Sequence, residues 1–412
     1  MNKGTKKSTF KQVFSALSQL NQRFEAMNAD RYMKKMSTMQ LVELMVSAQV
    51  NQEPALRDIS NSLNNEDLKS EIELDSIHAS SISRRLRVLR TEIMQMLFKS
   101  LVTHFGLKNG FDNIDKELGH IYLIDSTTIS LCLTKYPWAK FRKTKSGIKA
   151  HLRLKFSGDG SIPDEVVVTP AKRSDRTQMD ELVVDETGAL NVFDRGYIDY
   201  KKFDEYSEKG ILFVTRLKSN AIVNVIADHH PVDPEGVVDS DQIILLGEGK
   251  KQMKHDLRLI ETRDTEGNQV LILTNDFARS AEEIGDIYRY RWQIEIFFKW
   301  IKQHLTVKHL YSTGCQAVEN QIYIALVTYC LLALLKVETG FNGTLLTIQR
   351  LLKTCLCEPF DSFLQKLLRK SERSSKGRRK IDHRMIFEAT LGQVMAGEAD
   401  HLDDLTFDPV IL

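Results

Sequence analysis

Cysteine is scarce and unpatterned in this sequence. Cys132, Cys315, Cys330, Cys355 and Cys357 are scattered over 412 residues with no CxxC pair and no flanking histidine at zinc-module spacing, which excludes a Cys/His zinc site or a disulfide framework as the organising feature. An odd, dispersed set of thiols suits a reducing compartment, so a cytoplasmic protein is expected. An excess of one charge is also missing. Lys+Arg number 57 against 55 Asp+Glu, a net +2, which argues against a uniformly basic nucleic-acid binder and shifts attention to how the charges are distributed. No long uninterrupted apolar run is present. Ile322 to Leu335 is the most apolar stretch, but it contains Tyr323, Thr328 and Tyr329 and is short for a bilayer span, so a buried helix and no membrane are expected. The N-terminal MNKGTKKSTFKQVFSAL is basic but lacks the apolar core and cleavage site of a signal peptide. No internal repeat is visible.

What is present is an ordinary globular composition, 42% hydrophobic and 27% charged, in a chain long enough for two or three domains. Phe10, Val13, Phe14, Leu17, Leu20 and Phe24 recur at helical spacing, and Met39 to Val50 continues the pattern, so the first hundred residues read as all-helical. Pro54 can open a helix through Leu63, and Ser80 can cap a longer one to about Leu101 with Ile82, Leu86, Leu89, Ile93 and Leu97 on one side. Arginines crowd the first turns of that second helix. The pair reads as a helix-turn-helix whose Arg84 and Arg87 approach DNA, with a connection longer than the usual turn; a solvated basic face on a structural bundle is the other reading. KNGFDN then breaks the pattern.

From His120 the periodicity shortens. IYLIDSTTISL, AHLRLKFS, DEVVVTPA, LNVFDRGY and ILFVTRL read as five strands, with GDGSIP as a turn, a short helix at residues 175–184 and a second helix in YKKFDEYSEKG. Asp125 and Asp194 fall at the ends of apolar runs, where each alone reads as a turn former or helix cap. Residues 219–278 are β-rich, with TEGN as a hairpin turn. Apolar helices follow to Leu356, and then the basic stretch RKSERSSKGRRKIDHR, a candidate nucleic-acid arm.

The segment Tyr288 to Lys302, YRYRWQIEIFFKWIK, reads as a helix buried on most sides. Tyr288, Arg291, Glu295 and Lys302 lie within an arc of roughly 60° at about 100° per residue, while Ile287, Trp292, Ile294, Ile296, Phe297, Trp300 and Ile301 occupy the other directions. Such a stripe alone could be a salt-bridged surface face, with Arg291 and Glu295 at four-residue spacing. Its full spacing, Tyr288, two residues, Arg291, three residues, Glu295, six residues, Lys302, resembles the YREK signature of the insertion-sequence-four family of DDE transposases. The resemblance covers residues 120–310 well and the first hundred only loosely.

That resemblance implies an α/β fold: a ribonuclease H-like mixed sheet with a β-rich insertion, an all-helical N-terminal DNA-binding domain and a helical C-terminal region. The implied domains are 1–112 for DNA binding, 113–218 with 279–312 for catalysis, 219–278 for the insertion and 313–412 for the C-terminal helices and basic segment. First and fourth strands would lie side by side, bringing the catalytic acids Asp125 and Asp194 to Glu295. Three carboxylates without a competing His or Cys cluster suit two Mg2+ ions, with Mn2+ as a substitute, so all three are expected as metal ligands. Arg291, Lys302 and Tyr288 would hold phosphate. Trp292 could stack on an unpaired base or pack in the core. The acid-free segment Lys140 to Lys155, with Arg142, Lys143 and Lys145, would track the DNA backbone. The implied activity is cut-and-paste transposition: binding of terminal inverted repeats, strand cleavage, hairpin formation and strand transfer. The expected partners are double-stranded DNA, as element ends and target, and a second copy of the chain in a nucleoid-associated homodimer. A structure-specific nuclease of the same fold and an inactive DNA-binding relative are the alternatives. One departure stands out: the best-known members place a stacking Trp in the insertion, whereas between Ser219 and Arg279 the only aromatic ring besides histidine is Phe277.

Overall fold

The computed structural model describes residues 7–109, 120–157, 160–231, 236–263 and 268–369, with Met385 and Ala389. The boundary at KNGFDN, the turns GDGSIP and TEGN, and the basic arm from residue 370 fall wholly or partly outside the described residues.

The N-terminal region is helical: α1 (Thr9–Val13), α2 (Asn21–Ala26), α3 (Thr38–Asn51), α4 (Leu56–Ser62), α5 (Glu66–Ile72), α6 (Ala79–Val88) and α7 (Thr91–Asn109), with a 3-10 stretch, Phe14–Leu20, between the first two. Ser37 and Gln40 form a capping box that opens α3. The single helix expected from Ser80 to Leu101 is instead two. His78, not Ser80, caps α6, and Leu89 turns to an extended conformation. The break has a partner: Asn320 donates to the carbonyls of Leu86 and Leu89, and Gln316 donates to that of Leu89, so the released helix-end acceptors are satisfied from another helix. The apolar stripe Ile82, Leu86, Leu89, Ile93 and Leu97 is nonetheless fully buried.

Ten strands form one mixed sheet: β1 (Ile121–Leu131), β2 (Lys140–Arg142), β3 (Lys145–Ser157), β4 (Gly160–Pro170), β5 (Leu190–Phe193), β6 (Leu212–Arg216), β7 (Val223–Asp228), β8 (Val238–Leu246), β9 (Leu257–Arg263) and β10 (Gln269–Thr274). Strands β4, β3 and β1 pair antiparallel, and β1, β5 and β6 pair in parallel. The parallel run is connected by α8 (Met179–Leu182) and α9 (Tyr200–Lys209); α9 starts on the Asp199 cap and stops at Gly210, whose φ of +72° favours a residue without a Cβ. The β-rich stretch continues the same sheet. β10 lies antiparallel to β6, followed outward by β9, β8 and β7.

Among the described residues five named helices follow the sheet: α10 (Ala281–Tyr290), α11 (Trp292–His304), α12 (Cys315–Thr339), α13 (Leu345–Cys355) and α14 (Phe360–Leu367). Helix α12 extends past both ends of the apolar run seen in the sequence. By length and composition it could cross a bilayer, but it is the central helix of the fold, buried against α3, α6, α7 and α13. Alternation along the strands divides the core. Leu123, Val192 and Val214 face the cluster made with the N- and C-terminal helices, whereas their neighbours Ile124, Phe193 and Phe213 face a second cluster with α9. Trp300, fully buried on α11, meets Tyr329 of α12 edge-on at 5.5 Å. Trp300→Ala should therefore cost about 3–5 kcal/mol by creating a cavity, read from the shift in a denaturant midpoint; a shift equivalent to less than about 1 kcal/mol would mean that the α11–α12 seam is not a principal part of the core.

Candidate active site

The register of β1 and β5 determines where the first two acids emerge. Parallel pairing ends at Ile124 with Phe193, and the next residue on each strand is Asp125 and Asp194. Beyond that point β1 continues beside β3 only, leaving open the edge that β5 had covered. Below Asp194 the chain is fixed by rings: Phe193 lies 6.0 Å from Tyr197 and 5.9 Å from Phe213, which stacks on Phe203 at 4.4 Å.

The third acid comes from the helices above the sheet. The continuous helix expected over Tyr288 to Lys302 is interrupted at Arg291, which closes α10 and precedes α11. Its N–H reaches the Tyr288 carbonyl at 3.2 Å, a tight i to i−3 turn, while its φ and ψ stay helical. The polar stripe therefore survives the interruption. Arg291 Nη1 donates to Asp125 Oδ2 at 3.0 Å and to Glu295 Oε1 at 2.8 Å, joining sheet and helix. Arg291 is 3% exposed, with its guanidinium carbon 4.4 Å from the Trp292 ring centroid and 5.8 Å from that of Tyr288. Lys302, three turns along, donates to Thr127 Oγ1 at 2.5 Å and to the Thr128 carbonyl at 3.3 Å, just past Asp125 on β1.

Crowding is visible in the protonation equilibria. Burial pushes the Asp125 carboxyl up to about 7, and the negative charges of Glu295 and Asp194 push the same way against Arg291 and the Ser126 N–H. Burial, with Asp194, also raises Glu295 against the pull of Arg291. Burial holds Lys302 below its ordinary value, with Lys308 adding to the effect, and is the main cause of a raised Tyr288. For Arg291, burial works against the charge, but Tyr288 and the three acids outweigh it, so the guanidinium stays protonated. Asp125, Asp194 and Glu295 thus share one electrostatic neighbourhood. Among the described residues no group of three or more His, Cys, Asp or Glu side chains stands ready to hold a metal ion. Arg291 lies between two of the acids.

A polar network behind the acids escaped the sequence reading. Asp125 Oδ1 accepts from the Ser126 N–H at 2.7 Å, and Ser126 Oγ donates to Asp175 at 2.6 Å. Lys149 Nζ reaches both Asp175 oxygens at 2.9 and 2.8 Å, and His151 Nδ1 stands 3.4 Å from the same carboxylate. A Cβ on Gly196 would sit 3.7 Å from Asp175 Oδ2 and 3.8 Å from Asp194 Oδ2, so one small turn touches both acids. Burial alone would raise Asp175, but the Lys149 and Ser126 hydrogen bonds prevail and hold it below the usual carboxylate range. The signal available in the sequence was the two-residue alternation of Lys149, His151 and Arg153 on one face of a strand.

The acid-free segment is accordingly not a loop but the β2–β3 hairpin. Arg142, Lys143 and Lys145 are exposed at its turn, whereas Lys149 is held by Asp175 and Arg153 by Asp164 at 2.9 Å. In the N-terminal region Arg84 and Arg87 are exposed on α6, while Arg85 is buried on Asp30, Thr38 and the Ala29 carbonyl. Helix α5 intervenes between the two helices expected to form the helix-turn-helix. The structure thus brings Tyr288, Arg291, Trp292 and Lys302 to the acids and leaves Arg84, Arg87, Arg142, Lys143 and Lys145 outside that cluster. Phe277 is 38% exposed in the insertion and meets His229 edge-on at 5.5 Å.

Burial carries the His151 pKa down to about 4, with Lys149 acting in the same direction and Asp175 against it. An unfolded histidine takes up a proton near pH 6.5, so between there and about pH 4 the unfolded state binds more protons; the contribution is complete above 6.5 and is lost as pH falls. The urea midpoint of the wild type should fall more steeply than that of His151→Gln over this window. Parallel profiles would remove His151 as a cause.

A family profile described as "Transposase DDE domain" matches residues 117–331, and one described as a domain of unknown function matches residues 5–69. The chain is 30% identical over 270 residues to the probable transposase for insertion sequence element IS5377 of Geobacillus stearothermophilus, covering 65% of this chain and 69% of that one. It is 33% identical to a protein of Sinorhizobium fredii named as transposase y4zB, covering 62% and 73%. A Synechocystis protein named as a transposase for insertion sequence element IS4SA is 26% identical, covering 70% and 79%.

Proposed function

Because the chain belongs to the DDE-domain transposases, we propose that it is the cut-and-paste transposase of an insertion sequence, acting on the terminal inverted repeats of its own element. The observation that carries this reading is the joining of Asp125, on a central strand, to Glu295, on a packed helix, through Arg291, with Asp194 in the same electrostatic neighbourhood. The strand order supports a ribonuclease H-like catalytic core, with β1 beside β5.

Asp125, Asp194 and Glu295 are the residues that would hold two Mg2+ or Mn2+ ions. Their all-oxygen donor set fits hard cations, and loading requires Arg291 to leave its present place. When bound, such ions supply a nucleophilic oxygen at neutral pH and a sink for charge on the leaving oxygen. The chain's own residues do the rest. Lys302 and Arg291 neutralise the scissile phosphate, and the Nε of Arg291, buried without a partner among the described residues, is a donor still to be satisfied. Tyr288 and Trp292 fix the plane of that guanidinium. Ser126, Asp175 and Lys149 hold β1 at the level of Asp125 so that the carboxylate does not swing into solvent.

The 3′-hydroxyl freed by the first hydrolysis attacks a phosphodiester of the opposite strand, closing a hairpin as the flanking DNA leaves with its own 3′-hydroxyl; water then reopens the hairpin, and the regenerated 3′-hydroxyl attacks a target phosphodiester, expelling a target 3′-hydroxyl. Paired ends cut together call for a homodimer on double-stranded DNA. Arg142, Lys143 and Lys145 supply exposed charge at a hairpin turn, and Arg84 and Arg87 supply it on α6. A nuclease without strand transfer would share the acids; joining assays on pre-cleaved ends separate the two.

Asp125→Asn, Asp194→Asn and Glu295→Gln should each lower cleavage of end-bearing DNA by at least a hundredfold while end-binding in a mobility-shift assay stays near wild type. Near-normal cleavage by any one variant would remove that residue from the site. Arg84→Ala with Arg87→Ala should weaken binding to element ends more than to random duplex, and equal losses on both would make α6 a backbone contact only.

A further inference from the structure

Arg291 uses its five N–H donors unevenly. One nitrogen, Nη1, serves both Asp125 Oδ2 at 3.0 Å and Glu295 Oε1 at 2.8 Å, whereas the buried Nε has no partner among the described residues. A single cationic atom thus neutralises carboxylates from two different elements, the role a divalent ion would otherwise fill. A divalent ion taken up by Asp125 and Glu295 would compete with Nη1 for the same carboxylates and be repelled by its charge. The two cations therefore exclude each other.

Given that Asp125, Asp194 and Glu295 hold the catalytic metal, we infer that Arg291 is the stand-in cation of the metal-free protein: it holds Asp125 and Glu295 together, is displaced when metal enters, and is thereby released toward incoming phosphate. The local backbone suits such a move. Arg291 sits where α10 ends and α11 begins, so its side chain can shift without unwinding either helix. Its guanidinium lies on the Trp292 ring, so displacement must change the surroundings of that indole. Metal loading and phosphate capture are then one coupled event. The site is closed as a neutralised ion pair until a divalent ion takes over the neutralising role.

The test uses the full chain without DNA. Mn2+ binding, measured by the loss of the free-ion electron paramagnetic resonance signal, should be at least tenfold tighter in Arg291→Gln than in wild type, and lost from both backgrounds by Asp125→Asn. Equal or weaker binding in a folded Arg291→Gln, with loss still caused by Asp125→Asn, would overturn the displacement and leave the metal-site reading standing. Absence of saturable binding in every protein would overturn both. Should Arg291→Gln fail to fold, the wild type decides. Mg2+ should give a saturable change in tryptophan emission that is missing from Trp292→Phe, and an unchanged Trp292 signal at Mg2+ concentrations that saturate the site would overturn the displacement.

Discussion

A buried arginine, Arg291, paired with two carboxylates is the constraint on which the arrangement depends. Charges this far from water are tolerated only when paired, and breaking one such buried pair costs about 3–5 kcal/mol because the remaining partner is left uncompensated. Arg291 therefore ties the start of α11 to β1 through Asp125. Lys302 repeats the linkage three turns further on, through Thr127 and Thr128 of the same strand. Two cations on one helix face thus hold the strand that carries Asp125.

The sheet supplies what the helix cannot, which is two acids at a defined separation. Parallel strands that stop pairing at the same level present their next residues side by side, and here those residues are Asp125 and Asp194. Their backing differs. Asp125 rests on a hydrogen-bonded chain through Ser126 to Asp175 and Lys149, and Asp194 on a cluster of aromatic rings. A polar support tolerates small rotations of a carboxylate, whereas stacked rings resist displacement of the backbone. The four outer strands add to the sheet edge beyond β6 without disturbing that register.

Much of this was legible in the sequence, because the signals were periodic. The strand containing Asp125 and the strand that ends just before Asp194, the polar stripe of Tyr288, Arg291, Glu295 and Lys302, and the buried face of α6 all follow from spacing. What was not legible depends on partners distant in sequence. The break at Leu89 is stabilised by Asn320 and Gln316, more than two hundred residues away, and no local breaker marks it. Lys149 and Arg153 looked like free positive charge because Asp175 and Asp164, which neutralise them, lie in segments read as helix and strand. The adjacency of β1 and β5 came from family resemblance, since alternation reports which face a residue takes and not which strand lies beside it. Trp292 falls between its two readings: half-buried, with one ring face covered by Arg291.

Asp125, Asp194 and Glu295 are proposed to surround one metal-binding locus. Iron-directed cleavage of the polypeptide tests it most directly. Fe2+ is supplied in place of the proposed Mg2+, ascorbate and peroxide generate hydroxyl radicals where it is bound, and the cuts are mapped by mass spectrometry. Three clusters of cuts are expected, near residues 125, 194 and 295, that compete away with Mg2+ and vanish together in Asp125→Asn. Cuts confined to one of these segments, or persisting in Asp125→Asn, would contradict it.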